Sequence, residues 1–422
     1  MIELSKAEWA APQALSPIEA LVRVPGSKSA TARALILSAL ANGPSQILGG
    51  LRARDTDLMI AGLSSLGATI NVEAANWRIQ PIEDWPAQVA IDCGLAGTVM
   101  RFLPPLAAIG ATTAQFSGDP AAMVRPMAPL LGALADLGAQ VEGRTLPFRI
   151  RGPINGKTVG IDASTSSQFV SGLLLAAPRF PYGLKLTHRG ETLPSTPHIT
   201  MTIAALQSRG AAVRVGANGT SWEVAPSQIE ALDDQIEPDL TTAAVFLGAA
   251  LVSGGAVTVP GWPTVTDQPG QQILEILEAM GARVTLDASG LRIEGDGAIR
   301  GLDVDLRAAS ELTPVVAGLA ALAETETRIR GVGHIRGHET DRLQALQAEI
   351  TALGGQCEEL SDGLVIRPAA LHSGVFHTYG DHRLAHTGAL IGLRVPGVRL
   401  DDITVTTKTM PEFPLTWEGM VQ

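Results

Sequence analysis

Lysine, arginine and hydroxyl side chains gather at the first turns of stretches that are otherwise apolar. Pro25-Gly26-Ser27-Lys28-Ser29-Ala30-Thr31-Ala32-Arg33 leads into RALILSALA, Gly94-Leu95-Ala96-Gly97-Thr98 into VMRFLPPLAA with Arg101 one turn in, and Ser166-Ser167-Gln168 into FVSGLLLAA. At the start of a helix the backbone N–H groups are unpaired and the dipole is positive, so such positions favour anions. Each cluster alone also reads as an ordinary Ser or Thr cap with a solvated base. Three of them at equivalent points of one pattern point to a shared anion.

Charge is denser in two later segments. His334-Ile335-Arg336-Gly337-His338-Glu339-Thr340-Asp341-Arg342 precedes LQALQAEITALG, and Tyr379-Gly380-Asp381-His382-Arg383 precedes LAHTGALIGL. Asp341 and Asp381 read as members of structural ion pairs, whereas Glu339 is the better candidate for acid–base work. Lys408, in TTKTMPEF, reads from its surroundings alone as a surface lysine.

The elements that position these groups repeat. An apolar helix ends in glycine before a short alternating strand at Gly67, Gly138, Gly210, Gly281 and Gly354, steps of 71, 72, 71 and 73 residues. A glycine there stops a helix in the left-handed conformation and releases the chain into a strand. A second set of helix starts keeps the same beat at Lys28, Thr98, Gln168, Thr241, Glu311 and Arg383, so 422 residues hold about six units. Each reads helix, strand, helix, strand, strand; in the third, Asn218-Gly219 closes a hairpin between AAVRVG and SWEVAP. Crossovers and hairpins together predict an α/β protein with mixed sheets, a solenoid being the alternative. The last unit runs out before its hairpin, so a strand at Ile2 to Leu4 is expected to complete it. That expectation gives a discontinuous domain of 1–25 with 238–422, three repeats, and a second of 26–237, three repeats, with hinge residues at Pro25-Gly26 and Glu237-Pro238 and an active site in the cleft between them.

Composition removes other classes. Apolar residues at 45% and charged residues at 17%, with 45 glycines and 27 prolines, suit a folded, turn-rich chain rather than a disordered one. A net charge of −11 disfavours nucleic acid and anionic membrane as partners, so cations that meet an anionic ligand must be concentrated locally. Cys93 and Cys357 form neither a disulfide framework nor a metal spacing and read as buried small hydrophobes. No signal peptide, transit peptide or membrane-spanning run is visible, so a cytoplasmic location is expected.

PGSKSATARAL, AGTVMR, SSQ, HETDRL and DHR, in this order and across nearly the whole chain, resemble the motifs of the 3-phosphoshikimate 1-carboxyvinyltransferase family. The resemblance implies two domains of three βαβαββ repeats each, an inverse α/β barrel-like enolpyruvyl transferase fold with a discontinuous C-terminal domain. It implies transfer of the enolpyruvyl group of phosphoenolpyruvate to shikimate 3-phosphate, with no cofactor and no metal, by a protein expected to be a monomer and a possible glyphosate target. Carried over by motif, Lys28, Ser29, Arg33, Ser166, Ser167, Gln168, Ser195, Glu311 and His338 hold shikimate 3-phosphate. Lys28, Gly97, Arg125, Gln168, Arg342, Arg383 and Lys408 hold phosphoenolpyruvate, the arginines by paired N–H donors. Glu339 as proton donor and Glu311 as proton acceptor, with Lys28 sharing either transfer, fit the family's roles.

Several positions depart from the usual family pattern: Leu95 for asparagine, Phe102 for proline, His198 for tyrosine, Glu311 for aspartate, His334 for asparagine and His338 for lysine. The last predicts that affinity for the phosphorylated acceptor falls more steeply as pH rises than it would with lysine. The related UDP-N-acetylglucosamine 1-carboxyvinyltransferase is the alternative activity. Ser29 after Lys28, where that enzyme usually has asparagine, and a cysteine-free loop at Phe116 to Val124 argue against it. A non-catalytic anion-binding repeat protein is disfavoured because Lys28, Glu311, Glu339 and Lys408 are all present.

Overall fold

The computed structural model of the protein describes residues 8–422. Two compact units divide the chain, one running Gly26–Ile236 and the other joining the segment up to Pro25 to Glu237–Gln422.

In the Gly26–Ile236 unit the helices are α1 (Lys28–Ala39), α2 (Arg54–Ser65), α3 (Gly97–Ala107), α4 (Ala128–Asp136), α5 (Gln168–Ala176) and α6 (Thr196–Gln207). Each of its three sheets holds one parallel pair, bridged by a crossover, followed by two antiparallel strands. Gln88–Asp92 and Thr113–Ser117 run parallel around α3; Phe148–Arg151 and Gln140–Glu142 then add antiparallel. Thr158–Ile161, Leu184–His188, Ser221–Val224 and Val213–Val215 repeat the order. In the remaining sheet the parallel partner of Ser45–Leu48 is Asp234–Gln235, at the far end of the unit. Parallel pairing demands a crossover and antiparallel pairing permits a hairpin, so the βαβαββ order and the mixed sheets are one fact.

Helices α1, α3 and α5 are apolar on most sides and form the buried centre; every residue of α3 is buried. Pro105 in α3 has no N–H to bond the carbonyl of Arg101. That carbonyl faces Gly172 of α5, where an added Cβ would lie 2.2 Å from it. The two helices approach closely because one lost a hydrogen bond and the other has no side chain there. Helices α2, α4 and α6 keep an exposed face, as with Asp57, Ala61 and Ser64 on α2.

The other unit follows the same plan with α7 (Leu240–Ser253), α8 (Ile273–Ala279), α9 (Thr313–Ala321), α10 (Arg342–Ala352), α11 (His382–Gly392) and α12 (Phe413–Val421). Helices α7, α9 and α11 are its buried centre. Ala256–Val259 takes its parallel partner, Glu19–Leu21, from the start of the chain. A second sheet is ordered Asp303–Asp305, Thr327–Arg330, Gly363–Arg367, Gln356–Leu360. The third has three strands, with Gly374–Phe376 parallel to Val398–Leu400 and Trp9–Ala10 antiparallel on its other side. The strand expected at Ile2 to Leu4 lies outside the described residues; among the described ones, Trp9–Ala10 joins this sheet.

All five helix-ending glycines have positive φ, 113° at Gly67, 102° at Gly138, 80° at Gly210, 114° at Gly281 and 90° at Gly354. At Gly67 a Cβ would also sit 2.5 Å from the carbonyl oxygen of Asp84, so conformation and space both require glycine. Among the described residues no helix is long and apolar enough to cross a membrane. Burial pushes the thiols of Cys93 and Cys357 up to about 12, which leaves them protonated at neutral pH.

Candidate active site

In the Gly26–Ile236 unit, three helix starts present the expected polar groups. Ser27 caps α1 by accepting from the Ala30 N–H. One residue on, Lys28 Nζ pairs with Asp55 Oδ2 at 3.1 Å, a buried carboxylate in the first turn of α2. Asp55 was not singled out in the sequence, because an acid in a helix's first turn is an ordinary partner of the helix dipole.

Gly97, the first residue of α3, is the point on which Arg101, Arg125 and Gln168 converge. A Cβ there would lie 2.9 Å from Arg101 Nη1, 3.1 Å from Arg125 Nη2 and 3.1 Å from Gln168 Oε1. Arg125 donates from Nη1 to the Leu95 carbonyl at 3.0 Å, while its buried Nε has no hydrogen-bond partner among the described residues. Ser166 Oγ accepts from the Gln168 N–H at 3.3 Å, and Ser167 is the buried cap of α5.

Arg33, the arginine of the first motif, is engaged through all three guanidinium nitrogens. Its Nε donates to Thr202 Oγ1 at 2.9 Å, Nη1 to the Ser29 carbonyl at 2.8 Å and Nη2 to the His198 carbonyl at 2.8 Å. Phe102 supports it, with the guanidinium carbon 5.5 Å from the ring centre. Burial lowers this guanidinium to about 10, still charged at neutral pH. The cation therefore ties α1 to α6. Ser195, at the cap of α6, has a φ of 51°.

The other unit carries a network of cations and carboxylates around Arg342, the first residue of α10. Arg342 donates from Nε to Asp381 Oδ2 at 2.7 Å, from Nη1 to Glu311 Oε2 at 2.9 Å and from Nη2 to Glu339 Oε2 at 2.9 Å. Nη1 also lies 3.0 Å from His338 Nδ1. Arg383 Nε donates to the same Glu311 oxygen at 2.8 Å, and its Nη1 is buried without a hydrogen-bond partner among the described residues. Lys408 donates to the second oxygen of Glu339. The network thus gathers Glu311, His338, Glu339, Arg342, Arg383 and Lys408, six of the expected residues, and adds Asp381.

Burial alone would raise the Glu311 carboxyl, but Arg342, with His338 and Arg383, holds it well below the usual carboxylate range. For Arg342, burial works against charge, and Asp381, Glu311 and Glu339 together hold the guanidinium above its ordinary value. Both are ionised at neutral pH. Asp381 also caps α11, accepting from the Arg383 N–H at 2.8 Å. Asp341 caps α10 and pairs with Arg336 at 3.1 Å, a structural role. His334 accepts or donates at 2.9 Å to Ser310 Oγ, and burial pushes it down to about 4, so it is neutral.

Arg342 and Arg383 are charged, buried and arranged around one carboxylate oxygen, which suits planar, multiply charged anions. Glu311 and Glu339 are two carboxylates in reach of the same guanidinium, able to take or hold protons beside such an anion.

The family model for EPSP synthase (3-phosphoshikimate 1-carboxyvinyltransferase) matches residues 12–417. Among solved structures, the EPSP synthase of Acinetobacter baumannii superposes with a TM-score of 0.79 at 22% identity, over 98% of this chain and 97% of that one. The enolpyruvyl transferase NikO of Streptomyces tendae does so with a TM-score of 0.75 at 18% identity, over 98% and 96%. At these identities the superpositions establish the fold, a mixed α/β fold of two domains, and the family match spans nearly the full length. The chain belongs to the EPSP synthase (3-phosphoshikimate 1-carboxyvinyltransferase) family of enolpyruvyl-transferring enzymes.

Proposed function

We propose that the protein transfers the enolpyruvyl group of phosphoenolpyruvate to the 5-hydroxyl of shikimate 3-phosphate and releases phosphate. The observation that carries this reading is Arg342 held between Glu339 and Glu311, with Lys408 on the far side of Glu339 and Arg383 on the far side of Glu311.

In the addition step the 5-oxygen bonds to C2 of phosphoenolpyruvate, the hydroxyl proton leaves to a base, and C3 gains a proton to become methyl. In the elimination step the C2–O bond to phosphate breaks and the methyl group returns a proton. Glu311, ionised at neutral pH, suits the acceptor of the hydroxyl proton. Glu339, salt-bridged to Lys408, suits the group that exchanges a proton with C3, and Lys28, paired with Asp55, is the additional proton carrier in this reading. Lys28, Gly97, Arg125, Gln168, Arg342, Arg383 and Lys408 take phosphoenolpyruvate in this scheme. Lys28, Ser29, Arg33, Ser166, Ser167, Gln168, Ser195, Glu311 and His338 take the acceptor, Arg33 by fixing the carbonyls of Ser29 and His198.

Two ligands that each carry phosphate and carboxylate repel one another, by about 4 kcal/mol for unit charges about 4 Å apart at an effective dielectric of 20. The buried arginines offset that repulsion. Purified protein mixed with both substrates should release one phosphate per molecule of enolpyruvyl product. No phosphate release with shikimate 3-phosphate as acceptor would remove this reading.

A further inference from the structure

Glu349 lies outside the groups described so far. It sits on α10 seven residues beyond Arg342, two turns along the same face, and is 3% exposed. A carboxylate so buried must be fully engaged. Its Oε1 accepts from the Tyr379 hydroxyl at 2.7 Å, and its Oε2 accepts from the His377 N–H at 2.8 Å and lies 3.2 Å from His377 Nδ1. Among the described residues, every one of its polar partners belongs to the loop that leads into Asp381.

That loop is strained. Tyr379 has a φ of 52° and Gly380 one of 72°, two left-handed residues in succession, and only the second is a glycine. The loop is fixed elsewhere by the Thr378 N–H on Asp401 Oδ1 at 2.8 Å and by the Asp381 N–H on the Thr378 carbonyl at 2.8 Å. Its far end is Asp381, which binds Arg342 and caps the helix of Arg383. The loop is therefore tied to α10 at two points, at Glu349 through Tyr379 and at Arg342 through Asp381.

We propose that Glu349 is a positioning residue: by holding Tyr379 in its left-handed conformation it sets Asp381, and through Asp381 the guanidiniums of Arg342 and Arg383. The inference rests on the reading of those arginines as the phosphoenolpyruvate site. Charge assistance makes the hydroxyl-to-carboxylate bond strong, and the bond raises the Tyr379 hydroxyl to about 12, so the donor persists through neutral and mildly alkaline pH.

Two substitutions at one position separate this role from simple loss of stability. Tyr379→Phe removes the hydroxyl and keeps the strain. Tyr379→Gly removes the hydroxyl and the strain together, because glycine occupies positive φ freely. The KM for phosphoenolpyruvate should rise about tenfold in Tyr379→Phe, about 1.4 kcal/mol, with kcat changed less than about threefold. In Tyr379→Gly it should stay within about threefold of the parent. Glu349→Gln should resemble Tyr379→Phe. Equal KM values in the Phe and Gly variants, or a lowered melting temperature with KM unchanged in the Phe variant, would overturn the proposal. Should the parent protein fail to turn over shikimate 3-phosphate, the proposed activity falls, and the positioning role is judged by calorimetric titration with inorganic phosphate. The same order of affinities, parent near Gly and both tighter than Phe, supports it; any other order overturns it.

Discussion

Glu311→Gln tests the electrostatics of the arginine network most directly. Glu311 Oε2 lies 2.9 Å from Arg342 Nη1 and 2.8 Å from Arg383 Nε, so an incoming phosphate that engages both guanidiniums must approach a carboxylate already there. Unit charges about 4 Å apart repel by about 4 kcal/mol at an effective dielectric of 20. The Glu311 side chain is 28% exposed, and solvent together with small shifts of the phosphate screens part of this. About 2 kcal/mol then remains, which is about thirtyfold in affinity. Glutamine keeps the shape and an acceptor oxygen but not the charge. Calorimetric titration of inorganic phosphate at pH 7.5 and constant ionic strength should therefore show about thirtyfold tighter binding in Glu311→Gln than in the parent. Turnover should fall in the same variant by about 10² to 10⁴, the usual contribution of a general base. Phosphate affinity that is unchanged or weakened would refute the argument that Glu311 and the anion compete for the same guanidiniums.

Three other perturbations follow from single contacts. His386 is fully buried against Phe413, with ring centres 4.6 Å apart, and burial, with the charges of Arg383 and Arg342, holds it well below its ordinary value. The unfolded chain thus binds a proton below about pH 6.5 that the folded one refuses, so this group's contribution to stability is lost as pH falls below that value. Denaturant melts of His386→Phe at pH 7.5 and pH 5 should show a smaller acid loss than the parent, and an equal loss refutes the assignment. Gly172→Ala drives a methyl group toward the Arg101 carbonyl, 2.2 Å from its ideal position, and should cost about 2 to 3 kcal/mol in a chemical melt as α3 and α5 separate. In Gly97→Ala the methyl enters the space among Arg101, Arg125 and Gln168, at 2.9 to 3.1 Å from their polar atoms. The KM for phosphoenolpyruvate should rise about tenfold with the fold intact, and an unchanged KM would separate Gly97 from that ligand.

The six-unit beat was legible because it rests on local chemistry: a helix cannot be stopped into a strand at Gly67 or Gly138 without a residue that tolerates positive φ, 113° and 102°. The polar helix starts were legible for the same local reason, since hydroxyls and cations at Lys28, Gly97 and Gln168 interrupt runs that otherwise only bury surface. Glu339, Arg342 and Arg383 could be read as charged outliers before apolar helices. Their division of labour could not. Asp381 and Asp341 look alike in sequence, an acid one or two residues before an arginine, yet one binds the buried Arg342 at 2.7 Å and the other the half-exposed Arg336 at 3.1 Å. Arg33 belongs by motif to the ligand, while its donors go to Thr202 and to two backbone carbonyls. Glu349 gave no signal at all, because a glutamate in the middle of a helix is ordinarily a solvent contact.

The sequence by itself determined the repeat, the mixed α/β character, the membership of an enolpyruvyl transferase family and the roster of cations that could meet an anion. Each of these is carried by short segments whose residues lie within a turn or two of one another, however far apart the segments are in the chain. The tertiary structure alone decided which donor faces which carboxylate: Lys28 with Asp55, Glu311 between Arg342 and Arg383, Glu339 between Arg342 and Lys408, and the Tyr379 hydroxyl with Glu349. Those pairings join residues 3 to 72 positions apart. Most are set by how helices and loops pack rather than by any local preference, and electrostatic energy at contact distance depends on that packing to within an ångström.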